Sequence, residues 1–476
     1  MKSTDQAKKL EISGFFKLVY RAKKLVKLED LVKELRIDID KNLEPELDAR
    51  RCCIYRVPKY LRSVNEEAYT PQLISIGPLH HGKEELANME KIKRQYVKSF
   101  VEQITIENRD KILNFIKDNE KNIRNCYAET SELGSIEYIM MILYDAIFII
   151  ELLLRDQLGF DVSDLLLSTA SAKASLCLDF QLLENQLPYF ILEKICELAD
   201  LAGLNMPTFM ELSRFFFGCF DGLELSTLTP QVVVKHLTDW RRITILEHYQ
   251  RSEQRNQWID DLPCAVKLHE SGVKFKCFEG EHSLIDIRLE KRKQQIQCFE
   301  VLEMQIPHLK IFDSTESLLR NVMALEQCHY PWNTHVCNYV RLMNYLIDTE
   351  KDVDLLVGEG IISNHDMGDN ASIANMFNKL SLFISFSKSS YYDNCEKLKG
   401  HSPFISSVSC SIELSDSKAS ETLDKEKLNP VILSEVWFKL EADFVTEAKA
   451  RATFEEFASI TQKGNLNILI KKMKAC

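Results

Sequence analysis

Two adjacent histidines, His80 and His81, are the residues of this sequence whose type and setting best suit chemistry. They follow a short apolar run at residues 71–76, which predicts a strand, and a Gly77-Pro78 break, and an amphipathic helical pattern comes after them. Because an imidazole titrates near neutral pH, a rigid turn that holds two of them suits proton transfer or ligand binding. A histidine at such a junction often only hydrogen-bonds the backbone or caps the next helix, so a structural role is the alternative.

Three acidic residues lie in strongly apolar surroundings and are expected to be buried. Asp145 and Glu151 interrupt the apolar run at residues 139–154, and Glu184 lies in the run LLENQLPYF. Buried carboxylates without partners are costly, so each must meet a cation, a histidine or backbone donors. Structural pairing is the first interpretation. The second is that Asp145 and Glu184 supply an acid and a base beside the two histidines.

Four potential metal ligands lie close together in the sequence: Cys328, His329, His335 and Cys337. Thiols and imidazoles are donors that zinc prefers, but this spacing fits no standard zinc module. A Pro-Trp pair between them is typical of a connection between helices. The chain also has no Gly-x-Ser-x-Gly, no phosphate-binding glycine loop ending in Lys-Ser/Thr and no His-Glu-x-x-His motif. Zinc is therefore kept only as a hypothesis, and we expect no cofactor.

The elements that must position these residues are mostly helices. Apolar residues recur at three- and four-residue steps in several stretches, which is the helical period. Helices are predicted at residues 86–104, 139–154, 182–201, 315–328 and 335–348. The second of these is too short and too acidic for a bilayer span, so we expect a helix buried on nearly all sides. Thr349 begins a capping-box pattern that predicts one more helix start.

One region changes from the helical period to alternation. Apolar and charged residues alternate at 273–277 and again at 285–289, with turn residues between them. These stretches predict two strands of an antiparallel unit, and residues 296–311 supply one or two more. The predicted fold class is mainly α, a helical globular domain with a small antiparallel β insertion at about residues 273–312.

Composition limits the partners and the compartment. The chain has 476 residues, with 60 Lys and Arg against 71 Asp and Glu, a formal charge of −11. This is the wrong sign for binding through phosphate neutralisation, so we expect no nucleic-acid partner. The start has no apolar segment typical of a secretory signal, which predicts a cytoplasmic protein. The 14 cysteines show no framework spacing, and disulfides are not expected.

Composition also suggests domain boundaries. Residues 1–49 are expected to form an N-terminal helical arm and residues 50–382 the globular domain. The Ser- and Lys-rich stretch 383–430 is typical of a linker or poorly ordered arm. A helical pattern returns in a C-terminal tail at residues 431–476.

Seven runs, in this order, resemble the plant family called domain of unknown function 247, which is also named UPF0481. They cover roughly residues 50 to 382, and an ordered set is far more specific than any single run. The runs are VPKYLRSVNEEAYTPQLISIGPLHHG, MEKIKRQY, MMILYDAIFIIELLL, LLENQLPYFIL, AVKLHESGVKFK, IPHLKIFDSTESLLRNVMALEQC and YVRLMNYLIDTEKDVDLLVGEGIISN.

This resemblance implies a plant protein of largely helical fold without an established enzymatic activity. Some members similar to this chain act as self-incompatibility determinants in grasses, which favours non-enzymatic recognition or signalling through a protein partner. Members usually end in a membrane-spanning helix that is not seen here, so the family likeness implies at most peripheral membrane contact. The alternative function is an enzyme of unrecognised class that uses His80 and His81 with Asp145 and Glu184.

Overall fold

The computed structural model describes Lys33 and residues 51–159, 164–199, 207–221, 232–249, 257–278, 282–293, 300–385 and 387–401. The predicted N-terminal arm, apart from Lys33, lies outside these residues, as does the C-terminal tail. The described residues contain fourteen helices and five strands. The first eight helices are α1 Lys59–Arg62, α2 Ala87–Gln103, α3 Ile106–Arg124, α4 Ser135–Leu158, α5 Ala170–Asp179, α6 Tyr189–Ala199, α7 Phe209–Asp221 and α8 Leu237–Leu246.

The second half of the chain combines helices with short strands. Its elements are α9 Ala265–Glu270, β1 Lys274–Phe278, β2 Arg288–Lys293, β3 Glu300–Pro307, β4 Leu309–Ile311, α10 Thr315–His329, α11 His335–Leu346, α12 Glu350–Gly358, β5 Ile362–Asn364, α13 Asn370–Leu380 and α14 Tyr392–Lys399. The mainly α fold class with a small β insertion is confirmed. The capping box at Thr349 is also present, since the side chains of Thr349 and Asp352 each accept the other's backbone N–H.

The long helix α4 is the centre of the first half. Its sequence is apolar on nearly every side, and most of its side chains are buried. Helices α2, α3, α6 and α7 pack around it and contribute to one continuous apolar core between Cys53 and Trp240. The predicted buried helix at 139–154 is therefore confirmed, with one further turn at each end.

A second apolar core runs from Ile245 to Leu398 and contains the sheets and helices α10 to α14. Helix α10 connects the two halves, since it packs on α8 and on a short 3₁₀ turn at Glu67–Tyr69. Helix α14 belongs to this second core through the buried Cys395 and Leu398. The described residues end at His401, within the stretch 383–430 that the sequence analysis expects to be a linker.

The sheet differs from the predicted antiparallel unit. Strand β3 is central, with β1 parallel on one side and β2 antiparallel on the other, so the sheet is mixed and β1 and β2 do not pair. Strand β3 buries Leu302, Met304 and Ile306 on one face, which suits a central position. Strand β2 has the sequence RLEKRK, and such a charged strand suits an edge. Residues 285–287, predicted as strand, form a turn before β2 begins.

Candidate functional site

The segment Pro71–Gly82, which ends in the two histidines, crosses the protein interior without regular structure. The sequence predicts a strand over its apolar part, but none of residues 71–76 belongs to a helix or strand. Ile74, Ser75 and Ile76 are nevertheless almost fully buried. Buried backbone N–H and C=O groups need hydrogen-bond partners, and here no neighbouring strand provides them. Side chains of distant residues take that place.

Asp179, the last residue of α5, holds the start of this segment. Its Oδ1 accepts the backbone N–H of Gln72 at 3.0 Å, and its Oδ2 accepts those of Leu73 and Ile74 at 2.8 Å each. Burial raises the pKa of Asp179 to about 6, against the opposing effect of these three donors. One carboxylate thus replaces a strand partner for three consecutive residues.

Asn185 holds the middle of the segment from the irregular turn between α5 and α6. Its Oδ1 accepts the N–H of Ile76 at 2.7 Å, and its Nδ2 donates to the carbonyl oxygen of Ile74 at 3.0 Å. Helix α6 begins at Tyr189, so the predicted helix at 182–201 is wrong in its first seven residues. Those residues stay irregular because their side chains and backbone are bonded to other parts of the core.

Gly77 marks the sharpest point of the segment. Its φ is 71°, in the left-handed region that glycine adopts most easily. A Cβ at this position would lie 2.5 Å from the carbonyl oxygen of Gln186, which is backbone and has little freedom to move. The sequence therefore requires glycine here for both conformation and space.

The carboxylate of Asp145, in the middle of α4, accepts the backbone N–H of Gly77 at 2.8 Å. Its other oxygen accepts a hydrogen bond from Nζ of Lys93 on α2 at 2.6 Å. Lys93 also donates to Glu90 and to the carbonyl oxygen of Ser75. Burial raises the pKa of Asp145, while Lys93 opposes the rise. This predicted acid is fully occupied in holding α2, α4 and the buried segment together.

Glu184 holds the far end of the segment in a cluster with two arginines and His80. Its Oε1 accepts from Nη2 of Arg62 at 2.6 Å and from the backbone N–H of Val57 at 2.7 Å, and Arg56 lies 3.3 Å from Oε2. The nearby His80 ring, together with the bonds from Arg62 and Val57, holds the pKa of Glu184 below its usual value despite burial. Glu184 is thus an ionised carboxylate stabilised by cations.

His80 lies against this carboxylate but is closed off from solvent. Its Nε2 is 3.1 Å from Oε2 of Glu184, although the two are not aligned as a hydrogen bond. Burial lowers the pKa of His80, so the ring is neutral at pH 7. Both ring nitrogens are buried. A neutral imidazole beside an ionised carboxylate resembles an acid-base pair, but neither nitrogen can reach a solvent-borne molecule without rearrangement.

His81 lines an open pocket of about 330 Å³. The pocket has charged walls, with Arg56 bonded to Glu129 at 2.9 Å on one side and Glu137 among the other lining residues. The structure thus brings His80 to Glu184 and places His81 in a neighbouring pocket. Asp145 is bound instead by Lys93 and Gly77.

The four potential metal ligands do not form one site. The ring Nδ1 of His329 lies 2.9 Å from the hydroxyl of Tyr55, the ring of His335 packs near Tyr249, and the Cys337 thiol is buried beside the carbonyl oxygen of Met323. Burial raises the pKa of the fourth ligand, the Cys328 thiol, to about 11. Within the described ranges, no group of three or more His, Cys, Asp or Glu side chains has an arrangement that holds a metal ion.

Sequence reasoning missed three polar residues that form the inner framework: Lys93, Asp179 and Asn185. The signal for Asp179 and Asn185 was present in the run LDFQLLENQ, where two acids and three amides interrupt leucines and a phenylalanine. Such a density of polar residues in apolar surroundings indicates buried hydrogen bonds. The partners of Asp179 and Asn185 in the segment lie 105 to 111 residues earlier in the chain, so periodicity cannot reveal them.

The fold and this buried framework define a mainly helical protein in which buried polar side chains hold an irregular segment inside the core. A family model described as "Plant protein of unknown function" matches residues 54–411, and the chain belongs to this family, DUF247. It is 26% identical to UPF0481 protein At3g47200 of Arabidopsis thaliana over 72% of this chain and 75% of that protein. It is 22% identical to the putative UPF0481 protein At3g02645 of Arabidopsis thaliana over 75% of this chain and 84% of that protein. No solved structure matches the chain.

None of the helices in the described part of the chain combines the length and the apolar character that crossing a membrane needs. Helix α4 is the most apolar long helix, and it is buried in the protein core.

Proposed function

We propose that this chain is a non-enzymatic recognition protein that binds a protein partner through an exposed aromatic surface. This surface consists of Trp258, Trp332, Leu382 and Phe383, whose side chains are about half exposed or more. The observation that carries the proposal is Trp332, which is 87% exposed in the connection between α10 and α11. Tryptophan is the residue most enriched at the energetic centres of protein interfaces.

Two hydrogen bonds hold the backbone that follows Leu382 and Phe383 against the end of α10. The side chain of Gln327, near the end of α10, donates to the carbonyl oxygen of Ser385 at 2.7 Å and accepts its N–H at 2.9 Å. This pairing fixes the turn after α13 against the end of α10, immediately before the connection that carries Trp332. The surface is therefore formed by anchored backbone.

Phe383 supports the proposal independently, because its backbone is strained. Its φ is 61°, which is uncommon for a bulky residue, and its side chain is 63% exposed. Such conformations cost about 1 to 3 kcal/mol and cluster at functional sites. Because the ring is mostly exposed, its packing within the protein does not offset this cost. We propose that contact with a partner does.

Trp258 extends the surface on the side where Ser387 lies. It lines a small pocket of about 130 Å³ together with Asn338 and Ser387. The hydroxyl of Ser387 lies 2.6 Å from that of Thr334, two residues after Trp332. The partner that fits has an apolar patch with polar groups at its edge, which match the amides and hydroxyls around these rings.

The roles of the buried acids agree with this proposal. Asp145 and Glu184 are occupied in holding the segment Pro71–Gly82, and both nitrogens of His80 are buried. The proposal includes the cytoplasmic location that the sequence predicts. It also includes the peripheral membrane contact that the family resemblance implies.

The test is affinity capture from plant tissue with the full chain and two variants. The variant Trp332→Ala/Phe383→Ala removes two rings of the surface, and Ile106→Ala/Ile136→Ala removes exposed apolar side chains on α3 and α4. We expect a reproducible partner with the native chain and the control, and at least tenfold less of it with the first variant. Equal recovery by all three, or no reproducible partner, contradicts the proposal.

An enzyme of unrecognised class is the second candidate, and the pocket beside His81 favours it. The expected sign is turnover of a small molecule that is lost in His81→Ala and kept in Trp332→Ala/Phe383→Ala. A folded His81→Ala protein with unchanged turnover would exclude this pocket as the catalytic site.

A further inference from the structure

Two buried cysteines lie side by side where the chain enters the fold. Ile54 and Tyr127 form an isolated parallel β-bridge, so Cys53 and Cys126 are the preceding residues on each side. The backbone N–H of Cys53 donates to the carbonyl oxygen of Cys126 at 2.9 Å. Residues in register on paired strands project to the same face about 4.8 Å apart, which lies within the Cα separations found in disulfides.

The two thiols also influence one another. The proximity of Cys126 raises the pKa of Cys53 and that of Cys53 lowers the pKa of Cys126, whose Sγ donates to the carbonyl oxygen of Asn122 at 3.3 Å. The positive charges of Arg51 and Lys235 favour the thiolate of Cys126 further. The thiolate is the reactive form of cysteine, so the pair contains a nucleophile and a partner thiol beside it.

We infer that Cys53 and Cys126 form a reversible oxidation site, a dithiol that a peroxide converts into a disulfide. Cys53 and Cys126 are both free thiols, which is the reduced state of this site. Both residues are nearly buried, at 5% and 7% exposure, so a small oxidant is the suitable reactant.

The reaction balances with one molecule of hydrogen peroxide. The Cys126 thiolate attacks one oxygen, the O–O bond breaks, and a sulfenic acid and hydroxide form, the hydroxide taking up the proton that Cys126 had lost. The sulfur of Cys53 then attacks the sulfenic sulfur and the S–S bond forms. The hydroxyl leaves as water with the proton of the Cys53 thiol. Two electrons pass from the sulfurs to the peroxide, and two waters are released.

The site adjoins the charged pocket. Arg56 and Glu129 follow the bridged residues on the two segments by two positions each, and they bond to one another across the pocket wall. A disulfide between Cys53 and Cys126 joins these segments covalently. Oxidation is therefore expected to fix that wall in place.

The experiment exposes the full-length native protein to hydrogen peroxide, blocks remaining thiols by alkylation and maps cross-linked peptides without reduction. We expect one dominant cross-link between the peptides of Cys53 and Cys126, reversed by dithiothreitol and absent when the protein is treated in urea. Native protein whose two thiols are both alkylated after peroxide treatment overturns the inference. This experiment uses the native protein alone and needs no variant.

The neighbouring Cys52 provides a matched control, because it lies in the same peptide. Cys52→Ser is expected to keep the cross-link, and Cys53→Ser to lose it and to leave a sulfenic acid on Cys126 that dimedone traps. Cys196→Ser, a buried thiol elsewhere in the core, is expected to change nothing. A cross-link that is lost in Cys52→Ser and kept in Cys53→Ser overturns the assignment.

Discussion

The ammonium of Lys93 lies 2.6 Å from the carboxylate of Asp145, and neither side chain is more than 3% exposed. Lys93 projects from α2 and Asp145 from α4, and both also contact the segment Pro71–Gly82. Removal of one member of a buried ion pair leaves the other charge without compensation, which costs more than the pair itself contributes. The pair therefore fixes the arrangement of three parts of the core.

The first prediction concerns this pair. Lys93→Met is expected to lower the free energy of unfolding by about 3 kcal/mol, because Asp145 is left buried and charged. The double variant Lys93→Met/Asp145→Leu is expected to recover part of this loss. Equilibrium urea unfolding measures both.

The control for this prediction is Lys98→Met on the same helix. Lys98 is exposed and lies 3.8 Å from Glu102, so its loss is expected to change the stability by at most about 0.5 kcal/mol. Similar losses for Lys93→Met and Lys98→Met would contradict the structural role given to Lys93.

The second prediction concerns Gly77. Gly77→Ala places a Cβ in the left-handed region and 2.5 Å from a backbone oxygen, so we expect a loss of about 3 kcal/mol or more. Gly82→Ala is the matched comparison, because Gly82 has a φ of 80° but no atom within 4 Å of the added Cβ. Its loss is expected to be about 1 kcal/mol, from the conformation alone. Thermal unfolding of both variants under one set of conditions would show the difference, and equal losses would exclude the contact as the cause.

The main-chain course of this segment shows the limit of prediction from sequence. Helices such as α4 and α10 were predictable because their apolar residues repeat at the helical period within one stretch of chain. The segment 71–76 was predicted as a strand because it is short and apolar, which is the ordinary local sign. Its hydrogen bonds come from Asp179 and Asn185, about 100 residues later, and no local pattern records such partners.

The candidate site was likewise predictable in its local features but not in its distant partners. The apolar setting of Glu184 indicated burial, and Nε2 of His80 lies 3.1 Å from its Oε2. Asp145, which the sequence analysis grouped with them, is bound by Lys93 and Gly77 instead. The arginine partners of Glu184, Arg56 before α1 and Arg62 at the end of α1, were not predictable, since arginines at the ends of a short helix usually face solvent. The mixed order of the sheet was likewise hidden, because alternation identifies strands but not their neighbours.

The third prediction concerns the pKa of Asp179, which is raised to about 6 from 3.8. A raised pKa means that the folded state binds the proton more tightly, so this contribution to stability is fully present below pH 3.8 and is lost as pH rises through about 6. The difference corresponds to about 3 kcal/mol. Asp179→Asn has no such titration, so the stability of the native protein relative to this variant is expected to rise on acidification from pH 7 to pH 4. A constant difference over this range would show that the donors of residues 72–74 outweigh burial.

The fourth prediction concerns His236, which caps α8. Its pKa is lowered, whereas that of Asp179 is raised. Its Nε2 donates to the carbonyl oxygen of Cys53 at 3.0 Å, and its Nδ1 accepts the N–H of Asp239 at 3.3 Å, so the neutral ring satisfies both partners. Burial lowers its pKa from 6.5 to about 4.

A lowered histidine pKa gives stability that is present above pH 6.5 and is lost as pH falls through about 4. We therefore expect the advantage of the native protein over His236→Asn to shrink by up to about 3 kcal/mol between pH 7 and pH 4. Urea unfolding of this variant and of Asp179→Asn makes each the control for the other. A general effect of acid on the protein would change the stability difference between native protein and variant in the same direction for both. Opposite slopes are the expected result, and parallel slopes would mean that neither buried group sets the pH dependence.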